Sequence, residues 1–296
     1  MHVYTEPYAG TAPIVQLIQS ARKEVNLEVY FLSDRKILNA LKAANERGVK
    51  VRIILEKKPY KMPAWKISRE MREAQATGAA VQWAPYRFTS HGSYWAFDHA
   101  KFECDLHACE IGSANYGWDD FHRNRDYLVT TKNPRIVSAA NAVFNADWNN
   151  RHAPAYAHQV LVLSPGTSAA QLLKVINQPG PIDIESEEMG PYRPTLDAIA
   201  AKGHLARVIL PASISWEDKK DVAYLRRHGV QVRLMPVRPT YIHAKMLCGS
   251  QLGFVGSENF SQTSLENNRE MGLMIRNAAN LQKLRAQFNR DWQAAG

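Results

Sequence analysis

The chain has only three cysteines, Cys104, Cys109 and Cys248, an odd and sparse set whose spacing matches no zinc site and implies no disulfide framework. Cys104 and Cys109 flank "DLHA" and could pair across a hairpin, but the expectation for all three is reduced, buried thiols. No run of about 18 apolar residues occurs, which excludes a transmembrane helix. The opening "MHVYTEPYAG" has neither the basic n-region nor the apolar h-region of a secretory signal, so a cytoplasmic location is the default expectation, or a secreted or periplasmic one if a leader has been removed. Acidic residues are also short: 28 Asp and Glu stand against 37 Lys and Arg, giving net charge +9 and a pI near 9.4. That balance favours an anionic partner, whether nucleic acid, an acidic lipid surface or a phosphorylated small molecule.

What the chain does have is hydrophobic mass and repetition. With 296 residues, 45% of them hydrophobic, it can bury one large core or two of about 150 residues each. "HAKFECDLHACEIGSANYG", from His99, returns as "HAKMLCGSQLGFVGSENFS" from His243, 144 positions later. The same offset relates Lys101 to Lys245, Gly112 to Gly256, Ser113 to Ser257, Asn115 to Asn259, Asn124 to Asn268, Arg125 to Arg269, Asp126 to Glu270 and Phe144 to Phe288. "FNADW" and "FNRDW" close the two halves in register, and upstream "NLEVYFLSD" answers "DIESEEMGP". Residues 1–155 and 156–296 therefore read as duplicated lobes, joined near Arg151.

Each lobe alternates helical and strand periodicity. "APIVQLIQSARKEV" and "DRKILNALKAANERGV" space apolar residues as helices do, while "VNLEVYFL" and "VKVRIILE" are short strand-like runs. The pattern predicts an α/β sandwich in each lobe, and the hairpin after His99 makes the sheet mixed. A pseudo-twofold would bring the equivalent motifs face to face.

His-x-Lys on a strand points an imidazole and an ammonium the same way, because alternate residues share a face. Eleven residues past each Lys, Gly-Ser-x-Asn adds a hydroxyl and an amide, with a glycine expected to let backbone approach a ligand. Facing copies would surround a phosphodiester with Lys101, Lys245, Ser113, Ser257, Asn115 and Asn259. One neutral His can then attack phosphorus while the other, protonated, gives a proton to the leaving alkoxide. Asp126 and Glu270, each eleven residues past the motif Asn, are the candidates to orient the two imidazoles. The set offers no metal ligand beyond the histidines, and neither a metal nor another cofactor is expected.

These residues resemble the phospholipase D superfamily, whose signature is His-x-Lys, an Asp and Gly-Ser-x-Asn, present twice in monomeric members. The resemblance covers nearly the whole chain and is closest to the bacterial phospholipase D and cardiolipin-synthase-like branch. It implies a monomer of two α/β/α lobes with mixed sheets, His99 as nucleophile and His243 as general acid. The family's Asp, five residues after the Lys, is replaced by Leu106 and Ser250, with Asp105 one place early and no Asp in the second lobe. Both hairpins are one residue shorter than the family pattern, a shared tighter turn, and activity is expected to survive.

Glu28 and Glu185 interrupt otherwise buried strands at corresponding positions and are read as polar groups near the cleft, candidates for substrate contact as much as for structure. Trp148 and Trp292 end matching helices and read as packing residues. The segments "EKKPYKMPAWKISREMR" and "PASISWEDKKDVAYLRR", with "RFTSHGSYWAF", are expected to rim the cleft, where Trp65, Trp95 and Trp216 could meet headgroups and acyl chains of an anionic membrane, or nucleic-acid bases. Three functions follow in order: hydrolysis of a phospholipid, with possible transfer to another alcohol; a nuclease with the same site; and a binding protein with a crippled site.

Overall fold

A computed structural model describes residues 1–296. The first seven-stranded sheet is built from β1 (His2–Thr5), β2 (Glu24–Val29), β3 (Lys50–Leu55), β4 (Ala80–Trp83), β5 (Lys101–Cys104) and β6 (Cys109–Gly112). After a two-residue strand, β7 (Asn124–Arg125), it is completed by β8 (Tyr127–Thr131), in the spatial order β1-β8-β6-β5-β2-β3-β4. The second sheet repeats this plan with β9 (Val162–Ser164), β10 (Ile182–Ser186), β11 (Ala206–Pro211) and β12 (Gln231–Met235). A short β13 (Tyr241–Ile242) precedes β14 (Lys245–Cys248), β15 (Gly253–Gly256) and β16 (Glu270–Ile275), and the order is β12-β11-β10-β14-β15-β16-β9. β2-β3-β4 and β10-β11-β12 run parallel and the motif strands antiparallel, so both sheets are mixed as expected.

Alternation along β2 separates two cores. Val25, Leu27 and Val29 pack with Ile14, Ile37 and Leu41 of the helices Ala12–Ser20 and Arg35–Glu46, and Ile182 and Ile184 do the same in the second lobe. A third cluster of 33 buried residues draws on both lobes: Phe102, Ile111 and Val129 meet Met246, Val255 and Leu273, flanked by the helices Pro134–Trp148 and Ala278–Ala294. At about 25 cal/mol per Å² of apolar surface, this shared core is what holds the lobes together. The two flanking helices start alike, Asn133 accepting from the Arg135 amide at 3.0 Å and Asn277 from that of Asn280 at 3.1 Å. They also end alike: Trp148 stacks on Phe144 and Trp292 on Phe288, each pair 5.7 Å apart, the packing role read from the sequence.

Two local expectations change. Cys104 and Cys109 form a disulfide rather than staying reduced, because the tight turn sets them directly opposite in the β5-β6 register with Cα atoms 4.1 Å apart; Cys248 is free and buried. Asp105 Oδ1 closes that turn by accepting from the amides of His107 and Ala108, both at 2.6 Å. The motif glycines serve the sheets rather than a ligand: a Cβ on Gly112 would sit 2.4 Å from the Tyr127 carbonyl oxygen, and one on Gly256 2.5 Å from Gly272 Cα.

Candidate active site

Backbone pairing across the lobes positions the two histidines. β13, leading into His243, runs parallel to β7, leading into Asp126, and the His243 amide donates to the Arg125 carbonyl at 3.2 Å. The mirror contact pairs Asp98 with Arg269, and the His99 amide donates to the Arg269 carbonyl at 2.8 Å. Each imidazole therefore lies beside the acid of the opposite lobe. His99 Nδ1 is 2.9 Å from Glu270 Oε2, and His243 Nδ1 is 2.9 Å from Asp126 Oδ1. An ionised carboxylate can only accept, so Nδ1 carries the proton in both rings and Nε2 is left for chemistry.

The lysines match between lobes as closely. Lys101 Nζ donates to the His99 carbonyl and Lys245 Nζ to the His243 carbonyl, both at 2.6 Å, and both lysines are fully buried. Asn115 Oδ1 and Asn259 Oδ1 are buried without a protein partner, and Asn115 Nδ2 lies 3.5 Å from His243 Nε2, so the amides remain available to a ligand. Ser113 and Ser257 do not. Ser113 Oγ donates to Asp126 Oδ1 at 2.6 Å and accepts from the Tyr127 amide at 2.9 Å; Ser257 Oγ accepts from the Met271 amide at 3.0 Å. Both are fully buried and brace the strand carrying the orienting acid, which replaces the expected substrate contact.

Glu28 and Glu185 also change role, since neither has any exposed surface. Arg125 of the first lobe makes a two-pronged contact with Asp291 of the second, at 2.6 and 3.0 Å, and Glu185 lies in the same cluster, accepting from Tyr127 Oη at 2.8 Å. Arg269 mirrors it on Asp147, at 2.7 and 3.1 Å, beside Glu28 and Asp98. Burial raises Glu28 and Asp98 well above the usual carboxylate range, Glu28 further by the charges of Asp98 and Asp147 and Asp98 by those of Asp147 and Glu56, and burial raises Glu185 likewise. These are interlobe ion clusters beneath the site. The arginines and both "DW" aspartates stood in the repeat at matching positions, but spacing alone did not show that they cross.

The two halves of the site are not electrically equal. Burial pulls the His99 imidazole down to about 4, with Lys101 and Lys245 acting the same way and Glu270 opposing. Burial also acts to lower His243, but Asp126 and Glu187 outweigh it and the ring is raised above its ordinary value. The cause is a difference in neighbours. His243 has Asp126 at Nδ1, Asp120 Oδ1 at 3.9 Å and Glu187 Oε2 3.5 Å from Nε2. His99 has Glu270, whose companion at the Asp120 position is Ser264, and the Tyr30 ring at 4.9 Å. Sequence reading missed Asp120, Ser264 and Tyr30, which break the repeat rather than follow it. Burial raises Asp120 to about 7, with Asp126 adding to it. Burial lowers Lys101 to about 7, assisted by Lys245, so a bound anion would strengthen its charge. Asp120, Asp126 and His243 bring three donor atoms within 4.8 Å, the grouping best able to hold a cation, although His243 Nδ1 there already faces Asp126.

Aromatic rings lead outward from His99 through Tyr30, Phe97, Trp95 and Tyr60, with centroid steps of 4.9, 6.1, 6.3 and 6.5 Å. Trp65, Trp95 and Trp216 are exposed. No helix is long and apolar enough to cross a membrane.

The family model described as cardiolipin synthase, phospholipase D-like domain matches residues 14–148 and 188–292, more than half of the chain. Over 72 residues, 24% of the chain, the sequence is 38% identical to a phospholipase D of Rickettsia prowazekii (strain Madrid E), and the match spans 35% of that protein's length. The fold is similar to that of polyphosphate kinase from Porphyromonas gingivalis (TM-score 0.73, 14% identity, 97% of this chain and 49% of that one). It is also similar to phosphatidylserine synthase from Haemophilus influenzae Rd KW20 (TM-score 0.67, 12% identity, 99% and 85%), and at such identities both likenesses speak to fold alone. With its duplicated lobes and paired His-x-Lys and Gly-Ser-x-Asn motifs, the chain belongs to the phospholipase D superfamily.

Proposed function

We propose that the protein is a metal-independent phosphodiesterase working through a phosphohistidine, with phospholipids as substrate. The observation that carries this reading is the unequal carboxylate setting of two otherwise matched histidines, Asp126, Asp120 and Glu187 around His243 against Glu270 alone beside His99, which favours a charged His243 and a neutral His99. His99, neutral, attacks phosphorus through Nε2; the bond to the leaving alkoxide breaks, and His243 Nε2 supplies that oxygen's proton. Water then attacks the phosphohistidine, His243 takes its proton, and the P–N bond breaks to release His99. Transfer to another alcohol follows if an alcohol replaces the water. Lys101, Asn115 and Asn259 would hold the phosphoryl oxygens, with Lys245 opposite.

Support for a lipid comes from the aromatic path between His99 and the exposed Trp95 and Tyr60, which suits acyl chains and headgroups at an interface. The local identity to a phospholipase D points the same way. The test is mass spectrometry of enzyme quenched in denaturant and kept alkaline, in a chelator, after brief exposure to phosphatidylcholine, phosphatidylglycerol and short oligonucleotides, using wild type, His99→Asn and His243→Asn. A phosphatidyl adduct on His99 that accumulates in His243→Asn is expected. An oligonucleotide adduct would replace lipid by nucleic acid, whereas absence of adduct and product with every substrate would leave a binding protein.

A further inference from the structure

The acidic group paired with the site lysine in the second lobe has no counterpart in the first. In the sheet register Glu28 faces Phe102 and Glu185 faces Met246, the residues immediately after Lys101 and Lys245, so Glu28 and Glu185 are equivalent. Two residues further on, the first lobe has Tyr30 and the second has Glu187. Glu187 Oε2 accepts from Lys245 Nζ at 2.8 Å and lies 3.5 Å from His243 Nε2, while Tyr241 Oη donates to Oε1 at 3.2 Å. An acidic oxygen thus stands between the cation and the proton-bearing nitrogen that a phosphoryl group would address. Lys101, opposite, has no carboxylate contact and donates only to the His99 carbonyl.

We propose that Glu187 is a specificity-determining residue: by cancelling Lys245 it matches the phosphoryl pocket to one negative charge, and so favours diesters over dianionic phosphomonoesters. The inference rests on the phosphodiesterase reading for its biological sense. A diester brings one charge, which Lys101 can meet, since the His243 ring already faces Asp126 and Lys245 is paired with Glu187. A phosphomonoester brings two, and the second must sit against a fixed carboxylate a few ångströms away in a partly desolvated site, where repulsion is weakly screened. The same repulsion would speed release of a phosphomonoester product.

The test reads binding rather than turnover, so it can fail independently of the proposed reaction. Diethyl phosphate and sulfate serve as probes, because they carry one and two charges throughout the working pH range and probe titration does not enter. Calorimetric titrations would compare wild type, Glu187→Gln, Glu187→Tyr, which installs the first-lobe residue, and Glu188→Gln, which removes the adjacent charge. Glu187→Gln and Glu187→Tyr are expected to bind sulfate at least about tenfold more tightly, with a much smaller gain for diethyl phosphate. Glu188→Gln is expected to leave the ratio near that of wild type. Equal gains for both probes, an equal effect of Glu188→Gln, or no sulfate binding by any variant would overturn the proposal. If the selectivity shifts as expected and no diester is turned over by wild type, the reaction reading fails and the charge selectivity stands.

Discussion

At the residue scale, the proposed reaction turns on two imidazoles made chemically unlike by their carboxylate neighbours. His99 is held near 4, so it loses nucleophilicity only as the pH falls through that value. His243 is raised, so its acid form persists through and beyond the ordinary imidazole value and is lost as the pH rises past its folded one. At saturating substrate, where the bound anion keeps Lys101 charged, rate against pH should be bell-shaped, with an acid limb near 4 from His99 and an alkaline limb from His243. Asp126→Asn removes the main group holding His243 charged, and the alkaline limb of kcat should move about 1–3 units toward lower pH. A limb that stays in place would separate it from His243. In His243→Asn, hydrolysis of a diester with an ordinary alkoxide leaving group should fall about 10²- to 10⁴-fold, with the alkaline limb gone.

At the scale of elements, the pairing of β13 with β7 and of Asp98 with Arg269 aligns each histidine with the acid of the opposite lobe, and the ion clusters brace those segments from below. Asp291→Asn and Asp147→Asn each leave a buried guanidinium without its carboxylate. Each should cost about 3–5 kcal/mol in urea unfolding, with the larger loss at Asp147, which also pairs with Arg87. The β5-β6 disulfide closes a very short loop. Its removal by Cys104→Ala with Cys109→Ala should lower stability by about 2 kcal/mol, seen as a lower denaturant midpoint with an unchanged slope. The strands, helices and mixed sheets were legible along the chain because apolar periodicity is a local signal. The fates of Ser113, Ser257, Glu28 and Glu185 were not: a hydroxyl or carboxyl reads alike whether it meets substrate or a neighbouring strand.

For the whole molecule, neither lobe holds a complete site. His99 depends on Glu270, His243 depends on Asp126, and the 33-residue core mixes side chains from both halves. Segments 1–155 and 156–296, produced separately, should each lack activity, and mixing them should restore turnover at a rate that rises with the concentration of the second segment. Activity in one isolated segment would place nucleophile and acid in the same lobe.

Reading along the chain was enough to find the duplication, the two His-x-Lys and Gly-Ser-x-Asn sets, the orienting acids and the α/β lobes, because a repeated spacing is preserved in one dimension. Which acid serves which histidine is a property of the packed pair of lobes, since backbone pairing across the pseudo-twofold carries each imidazole to the opposite half. The same packing makes the surroundings of the two histidines unequal. Equal motifs carry equal intrinsic chemistry, and Asp126 with Glu187 raises His243 while burial holds His99 down, an asymmetry that supports the proposed division into acid and nucleophile.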